Sequence, residues 1–430
     1  MGERSLIVQP IITQQRRTDS TPIYIRDADA RLEEAIALSA AISLEIVHGE
    51  VINLRKVESG RLFGKGTVTR LGEYIEEEEI SLVVVNHALS PIQQRNLEKA
   101  WKCKVIDRSA LILEIFGERA QTKEGKIQVA LAALNYQRSR LVRSWTHLER
   151  QRGGAGFMGG PGEAQLELDR RMIDDKLNRL KKQLVDVKKN RDLQRESREK
   201  IPYPIVALVG YTNAGKSTLF NHVTGADVFA EDLLFATLDP TMREVKLPSD
   251  HAIILSDTVG FISELPTHLI AAFRATLEQV VYADVIIHVR DVSAVDSAAQ
   301  KEDVITVLKD LGVDYRNDDR IVEVLNKVDL LEEEHSPVTM LDKNQVAISA
   351  VTGQGVDDLL ELITDIISKN HVAYTFLLSP AAGEAQSWLH SHGHVTGTDV
   401  TDDNRISIDV QLSAANFGRF FQRFSIHPEE

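Results

Sequence analysis

Hydrophobic and polar positions follow three different rhythms along the chain. In the first 118 residues, short apolar runs stand between stretches of helical spacing. SLVVVN (81–86) has the length of a buried strand. In LSPIQQRNLEKAW, which follows at 89–101, Pro91 suits a first helical turn, where the missing proline N–H has no intrahelical partner to lose. CKVIDR (103–108) predicts the next strand, and strand, helix and strand in succession predict a small α/β domain with parallel strands. The run Glu76–Glu79 reads as an exposed helix end.

The period then changes. Ile127, Leu131, Leu134, Arg138, Leu141, Trp145 and Leu148 recur at alternating intervals of four and three, as do Ile173, Leu177, Leu180, Leu184 and Val187. These are the a and d positions of coiled-coil seams, with Arg138 as a charged interruption. The loop RQRGGAGFMGGPGEAQLELDRR (150–171) separates them, with six glycines between Gly153 and Glu163 and a small apolar tip in Phe157 and Met158. Two helices joined in this way are expected to pair antiparallel as a hairpin. From Ile205 onward, apolar strands run one after another into polar loops: Ile205–Val209, Ala252–Ser256, Asp284–Val289, Ile321–Leu325 and Val346–Ile348. From about Ala373, strands at Tyr374–Leu378 and Arg405–Gln411 with two helices predict a small α+β module.

Composition changes this picture in two places. Apolar residues at 43% and charged residues at 27% indicate globular domains rather than a disordered chain. The single cysteine, Cys103, excludes an internal disulfide and a Cys-based zinc site, and points to a reducing compartment. The first thirty residues lack the pattern of a signal peptide, and no run of 18 apolar residues occurs, so a soluble cytoplasmic monomer is expected. The net charge of −14 argues against general affinity for nucleic acid. Residues 138–200 reverse that sign locally, with 17 basic against 10 acidic side chains. A basic projection on an acidic body suits a polyanion, although on charge alone a solvated helical face is the favoured reading.

The chemistry begins behind the strand at Ile205. Gly210, Tyr211, Thr212, Asn213, Ala214, Gly215, Lys216 and Ser217 match GxxxxGK[ST] and lead through Thr218 into a helix. Successive backbone N–H groups in such a loop form an anion nest at a helix N-terminus. Lys216 is expected to bridge β- and γ-phosphates, and the Ser217 hydroxyl to bind Mg²⁺. Asp257, Thr258, Val259 and Gly260 follow a strand: Asp257 suits a Mg²⁺ water and the Gly260 N–H a γ-phosphate. Asn326, Lys327, Val328 and Asp329 follow another, and a carboxylate there accepts from both N1–H and the 2-amino group of guanine, a donor pair adenine lacks. Ser349, Ala350 and Val351 offer backbone N–H groups to the guanine O6. Between these motifs Phe235, Ala236, Thr237, Leu238, Asp239, Pro240 and Thr241 form a switch segment. Thr237 is the expected second protein ligand of Mg²⁺ and Thr241 its rival. Lys216, Thr237 and Gly260 are the expected catalytic set. Phe261 stands where many GTPases place a water-orienting glutamine, so slow intrinsic hydrolysis is expected.

In this order, RGGAGFMGGPGEAQLELDRR, GYTNAGKST, FATLDPT and DTVGF resemble the HflX family of translation-associated GTPases. The resemblance implies GTP as substrate, GDP as product, Mg²⁺ as cofactor, and ribosome-stimulated hydrolysis. It also implies binding to the large (50S) ribosomal subunit and its RNA, and a role in splitting or rescuing stalled ribosomes under stress. Gly153–Glu163 would then be the probing loop, with Arg150, Arg152, Arg170 and Arg171 as flanking phosphate contacts. The expected architecture is an N-terminal α/β domain (1–118), a helical hairpin (119–202), a P-loop GTPase domain (203–372) and a C-terminal α+β module (373–430). Two readings compete: an RNA-remodelling P-loop ATPase, with its ATP site near Gly64–Gly66 or in the P-loop itself, and a tRNA-modification GTPase. His390, His392 and His394 alternate in HSHGH and read as an exposed turn rather than a metal site.

Overall fold

A computed structural model describes residues 2–12, 27–151, 161–198, 203–226, 234–235, 241–249, 252–263, 277, 280–331, 342, 344–369, 371–401 and 403–429. The N-terminal sheet is entirely parallel, in the order β2 (Glu45–Leu54), β1 (Arg4–Ile12), β3 (Leu82–Val85) and β4 (Lys104–Asp107). The helices α1 (Ala28–Ala40), α2 (Lys65–Glu77), α3 (Pro91–Trp101) and α4 (Arg108–Arg119) intervene. The strands β3 and β4 and the helix opened by Pro91 lie where the pattern puts them. Ser90 and Gln93 form a reciprocal capping box at that helix start, satisfying two otherwise orphaned N–H groups. The strand β1 went unread because it contains Pro10, which argues against an interior strand. Its pairing with β3 covers only Ser5–Val8, so Pro10 lies beyond the stretch where a second ladder needs its N–H.

The hairpin consists of α5 (Lys123–Gln151) and α6 (Pro161–Arg198). Ile127, Leu131 and Leu177 are buried together, with Leu134, Ile173, Leu180, Leu184 and Val187 packed against them. The charged interruption is resolved by pairing, since Arg138 meets Asp174 at 3.0 Å. Both helices reach further than the glycine pattern suggested. The expected loop at 150–171 is corrected: Arg150 and Gln151 end α5, while Pro161, Gly162 and Glu163 belong to the first turn of α6. Proline suits a first helical position, and the following Ala-Gln-Leu-Glu-Leu favours helix. Arg170 and Arg171 therefore sit well along the shaft of α6, about 15 Å from its start at 1.5 Å per residue, and do not flank the loop. Residues 152–160, which separate the two helices, lie outside the described residues.

A six-stranded sheet follows in the order β10 (Gln345–Ala347), β9 (Ile321–Asn326), β8 (Val285–Asp291), β5 (Ile205–Gly210), β7 (Ala252–Asp257) and β6 (Thr241–Lys246). All neighbours are parallel except β6 against β7. The helices α7 (Lys216–Thr224), α8 (Ser297–Asp310) and α9 (Val356–Lys369) belong to this part. Its last part is an antiparallel sheet, β11 (His371–Leu378), β13 (Ile406–Ser413) and β12 (His394–Val400), with α10 (Gly383–His392) and α11 (Ala414–Phe424). Phe376, Trp388, Leu389, Ile408 and Phe420 form its separate core. The histidine triplet is divided between α10 and β12. Gly64 caps α2 from extended backbone and Lys65 and Gly66 open that helix, so the rival phosphate-loop segment forms an ordinary helix start.

One buried cluster runs from Ile7 and Val84 in the N-terminal sheet through Phe116 of α4 to Phe235, Val209 and Phe261. Among the described residues, no helix is long and apolar enough to cross a membrane.

Candidate functional site

The P-loop leaves the carboxyl end of β5, a central strand, and closes onto α7. Two of its glycines are sterically required. At Gly210 (φ +152°) a Cβ would lie 2.2 Å from the Val289 carbonyl oxygen. At Gly215 (φ +93°) it would lie 2.1 Å from the Asn326 amide nitrogen. The Lys216 ammonium donates to the carbonyls of Gly210 at 3.1 Å and Tyr211 at 2.7 Å. Burial pushes its pKa down to about 8, against a smaller opposing effect from Asp257.

The segment Asp257–Gly260 comes off β7, the strand beside β5. The Ser217 hydroxyl donates to the Asp257 carboxylate at 2.8 Å, and the Thr258 hydroxyl to the Leu208 carbonyl at 2.6 Å. Val259 is buried. Gly260 lies tightly against the P-loop: a Cβ there would be 2.8 Å from Thr212 Cγ2 and 3.1 Å from Lys216 Nζ. Phe261 is 1% exposed, and its backbone joins the two loops. Its N–H donates to the Gly210 carbonyl at 3.0 Å, and its carbonyl accepts the Thr212 N–H at 2.7 Å. The position of the missing glutamine thus holds a buried ring with no group able to orient water.

Asn326 ties the base-reading loops to the phosphate loop. Its side-chain amide donates to the Ala214 carbonyl at 2.8 Å and accepts the Ala350 N–H at 2.9 Å. Lys327 adopts left-handed backbone (φ +69°) and pairs with Asp291 at 2.7 Å. Val328 and Asp329 form a 3-10 turn with the Asp329 carboxylate exposed. Ser349 is buried and accepts the Thr352 N–H at 3.2 Å, while Val351 is 74% exposed at the rim. Asn213 and Phe235 adopt positive φ, Ser217 and Thr218 are half-buried, and Phe235 is buried. Ala236, Thr237, Leu238 and Asp239 lie outside the described residues. Thr241, the rival switch threonine, opens β6 directly opposite Asp257, and its buried hydroxyl makes no hydrogen bond among the described residues.

These donors suit Mg²⁺. Ser217, Asp257 and Thr241 offer hydroxyl and carboxylate oxygens, the hard ligands that ion takes, on neighbouring elements. Sequence reasoning missed the residues behind the site. Glu34 of α1 accepts the Tyr211 hydroxyl and pairs with Arg108, and Arg108 donates to the Ser263 carbonyl at 3.0 Å and hydroxyl at 2.9 Å. No local spacing signals such contacts, since they cross from one sheet system to another.

Four family descriptions match in succession: GTP-binding GTPase N-terminal over 29–117, GTP-binding GTPase Middle Region over 119–198, 50S ribosome-binding GTPase over 205–327, and HflX C-terminal domain over 338–428. GTPase HflX of Magnetococcus marinus is 49% identical over 400 residues, covering 93% of this chain and 92% of its own. GTPase HflX of Escherichia coli K12 is 38% identical over 423 residues, covering 97% and 95%. Among solved structures, the complex of SsGBP with GDP aligns over 86% of this chain and 99% of its own at 23% identity, with a TM-score of 0.48. By its run of four matched regions and by relatives alike over nearly its whole length, the chain belongs to the HflX family of GTPases.

Proposed function

We propose that this GTPase is a Mg²⁺-dependent switch whose nucleotide state sets its affinity for the large ribosomal subunit in the cytoplasm, and that it acts in splitting or rescuing ribosomes. The observation that carries the nucleotide half is the Asn326 tie between Ala214 and Ala350, which holds base-reading and phosphate-binding loops at one site. In this reading the N–H groups from Asn213 to Thr218 cradle the phosphates, and Lys216 compensates the β- and γ-oxygens. Asp329 selects guanine, Ser349–Val351 closes over the base, and the Gly260 N–H binds the γ-phosphate. Ser217 would hold Mg²⁺ directly, with Thr237 or its rival Thr241 as the second protein ligand, and Asp257 would hold it through water. The ion supplies charge neutralisation between the phosphates. With a buried Phe261 after Gly260, turnover by the free protein is slow and depends on an external partner to order the attacking water.

The ribosomal half is supported by charge and shape. The 138–200 segment carries 17 basic against 10 acidic side chains on a chain of net charge −14, and it forms two long paired helices. Such a basic arm suits ribosomal RNA, with Gly153–Glu163 at its tip. In this reading the unit 119–202 is the arm and 203–372 the switch, flanked by the units 1–118 and 373–430. Co-sedimentation with purified large subunits tests this reading. Binding with a non-hydrolysable GTP analogue should exceed binding with GDP, and deletion of Gly153–Gly162 should remove the excess while GTP affinity stays. An unchanged excess after deletion would refute the loop assignment.

A further inference from the structure

Two consecutive residues at the end of β4 face different partners. The Asp107 carboxylate turns toward the hairpin, accepting from the Tyr136 hydroxyl at 2.7 Å and from Arg140 at 2.8 Å, both on α5. It also accepts the Ala110 N–H at 2.9 Å, capping α4. Arg108 turns toward the GTPase part, where it holds Ser263, and it pairs with Glu34 of α1. Ser263 is three residues beyond Gly260, and its N–H donates at 2.8 Å to the hydroxyl of Tyr211, the second residue of the P-loop. Two turns further along α4, Phe116 meets Phe235 edge to face, with ring centroids 4.7 Å apart. The helix α4 therefore touches the segment after Gly260 and the start of the switch segment, and it reaches the P-loop through Glu34 of α1, which accepts the Tyr211 hydroxyl. Its own N-terminus is fastened to the hairpin.

We propose that α4 couples the position of the α5–α6 hairpin to the GTPase centre, with Arg108 and Glu34 as positioning residues for Tyr211 and the Ser263 segment. The inference rests on the reading of the hairpin as the ribosome-facing arm. Its physical basis is that Asp107, Arg108, Tyr211 and Ser263 are buried, and that their partners Glu34, Tyr136 and Arg140 are half-buried and bonded to them. A partial displacement would leave charged groups unsatisfied in a low-dielectric interior, so hairpin movement passes on as a discrete rearrangement instead of dissipating. Phe261 supplies no water-orienting group, and the segment that contains it is held from two sides, by P-loop hydrogen bonds and by Arg108 at Ser263.

The test uses the full chain and three changes: Ser263→Ala, Glu34→Gln, and the paired Arg108→Gln with Glu34→Gln, which avoids a lone buried charge. GTP affinity, binding to purified large subunits, and subunit-stimulated kcat are measured for each. The expected result is binding of both ligands within about two-fold of wild type and stimulation reduced by about five-fold or more, the lower end of common coupling energies. Unchanged stimulation overturns the proposal, as does loss of stimulation in step with lost GTP affinity, which would mark the network as structural only. Tyr136→Phe, on the hairpin side of α4, should combine non-additively with Ser263→Ala in the stimulated rate; additive effects also overturn it. A wild type unstimulated by large subunits contradicts the ribosome reading instead. The coupling is then judged on basal kcat, which Tyr136→Phe alters if α4 transmits and leaves alone if it does not.

Discussion

The Lys216 ammonium is held between two P-loop carbonyls, and burial brings its pKa down to about 8. A polyphosphate beside it favours the charged form and raises that value. GTP binding should therefore take up a proton near pH 8, with affinity full below that pH and declining above it as the free protein loses the lysine proton. Calorimetric titration at pH 7 and pH 9, in buffers of different ionisation heat, measures this directly; a buffer-independent heat at both would contradict it. Asp329 is exposed at the base-reading loop, and Asp329→Asn should move preference from guanosine to xanthosine nucleotides in competition binding. These residues were legible in the sequence because each motif is a short run whose letters carry its chemistry. Tyr211 was not, beyond its place as a variable position in GxxxxGK. Its hydroxyl acts through Glu34, 177 residues away, a pairing that only the folded chain creates.

At the scale of elements, periodic signals read well and mixed ones poorly. The four-three spacing of the hairpin matches packed side chains at Ile127, Leu131 and Leu134 of α5 and from Ile173 to Val187 of α6, with Arg138 paired to Asp174, while the side chains of Trp145 and Leu148 lie outside the described residues. The glycines misled about its length, because composition suggested a loop where Pro161 starts a helix. The strand β1 was hidden by Pro10, and β12 begins inside the histidine run and contains Gly397. Leu177 is 2% exposed in the hairpin seam, so Leu177→Ala should cost about 2–5 kcal/mol of hairpin stability. Proteolysis within α6 should accelerate in that variant while equilibrium GTP affinity stays at the wild-type value. An unchanged cleavage rate would mean that the seam contributes little to hairpin order.

For the whole molecule, the unit boundaries seen in the pattern are less sharp in the packing. The N-terminal sheet shares one buried cluster with the GTPase sheet, and the Arg108–Glu34 pair lies inside that junction. The alternatives of an RNA-remodelling ATPase and a tRNA-modification GTPase give way to membership of the HflX family, and the family description matched over 205–327 is that of a 50S ribosome-binding GTPase. The proposed function joins a basic arm, a GTPase centre and a helix bonded to the segment after Gly260 into one device, in which a partner at the arm would release hydrolysis at the switch. The most direct test is GTP turnover by the purified chain alone and with separated small subunits, large subunits and intact ribosomes. Turnover well below about 1 per second alone, raised strongly by large subunits and intact ribosomes and little by small subunits, is the expected result. Fast turnover by the isolated chain, or equal rates with every ribosomal component, would contradict it.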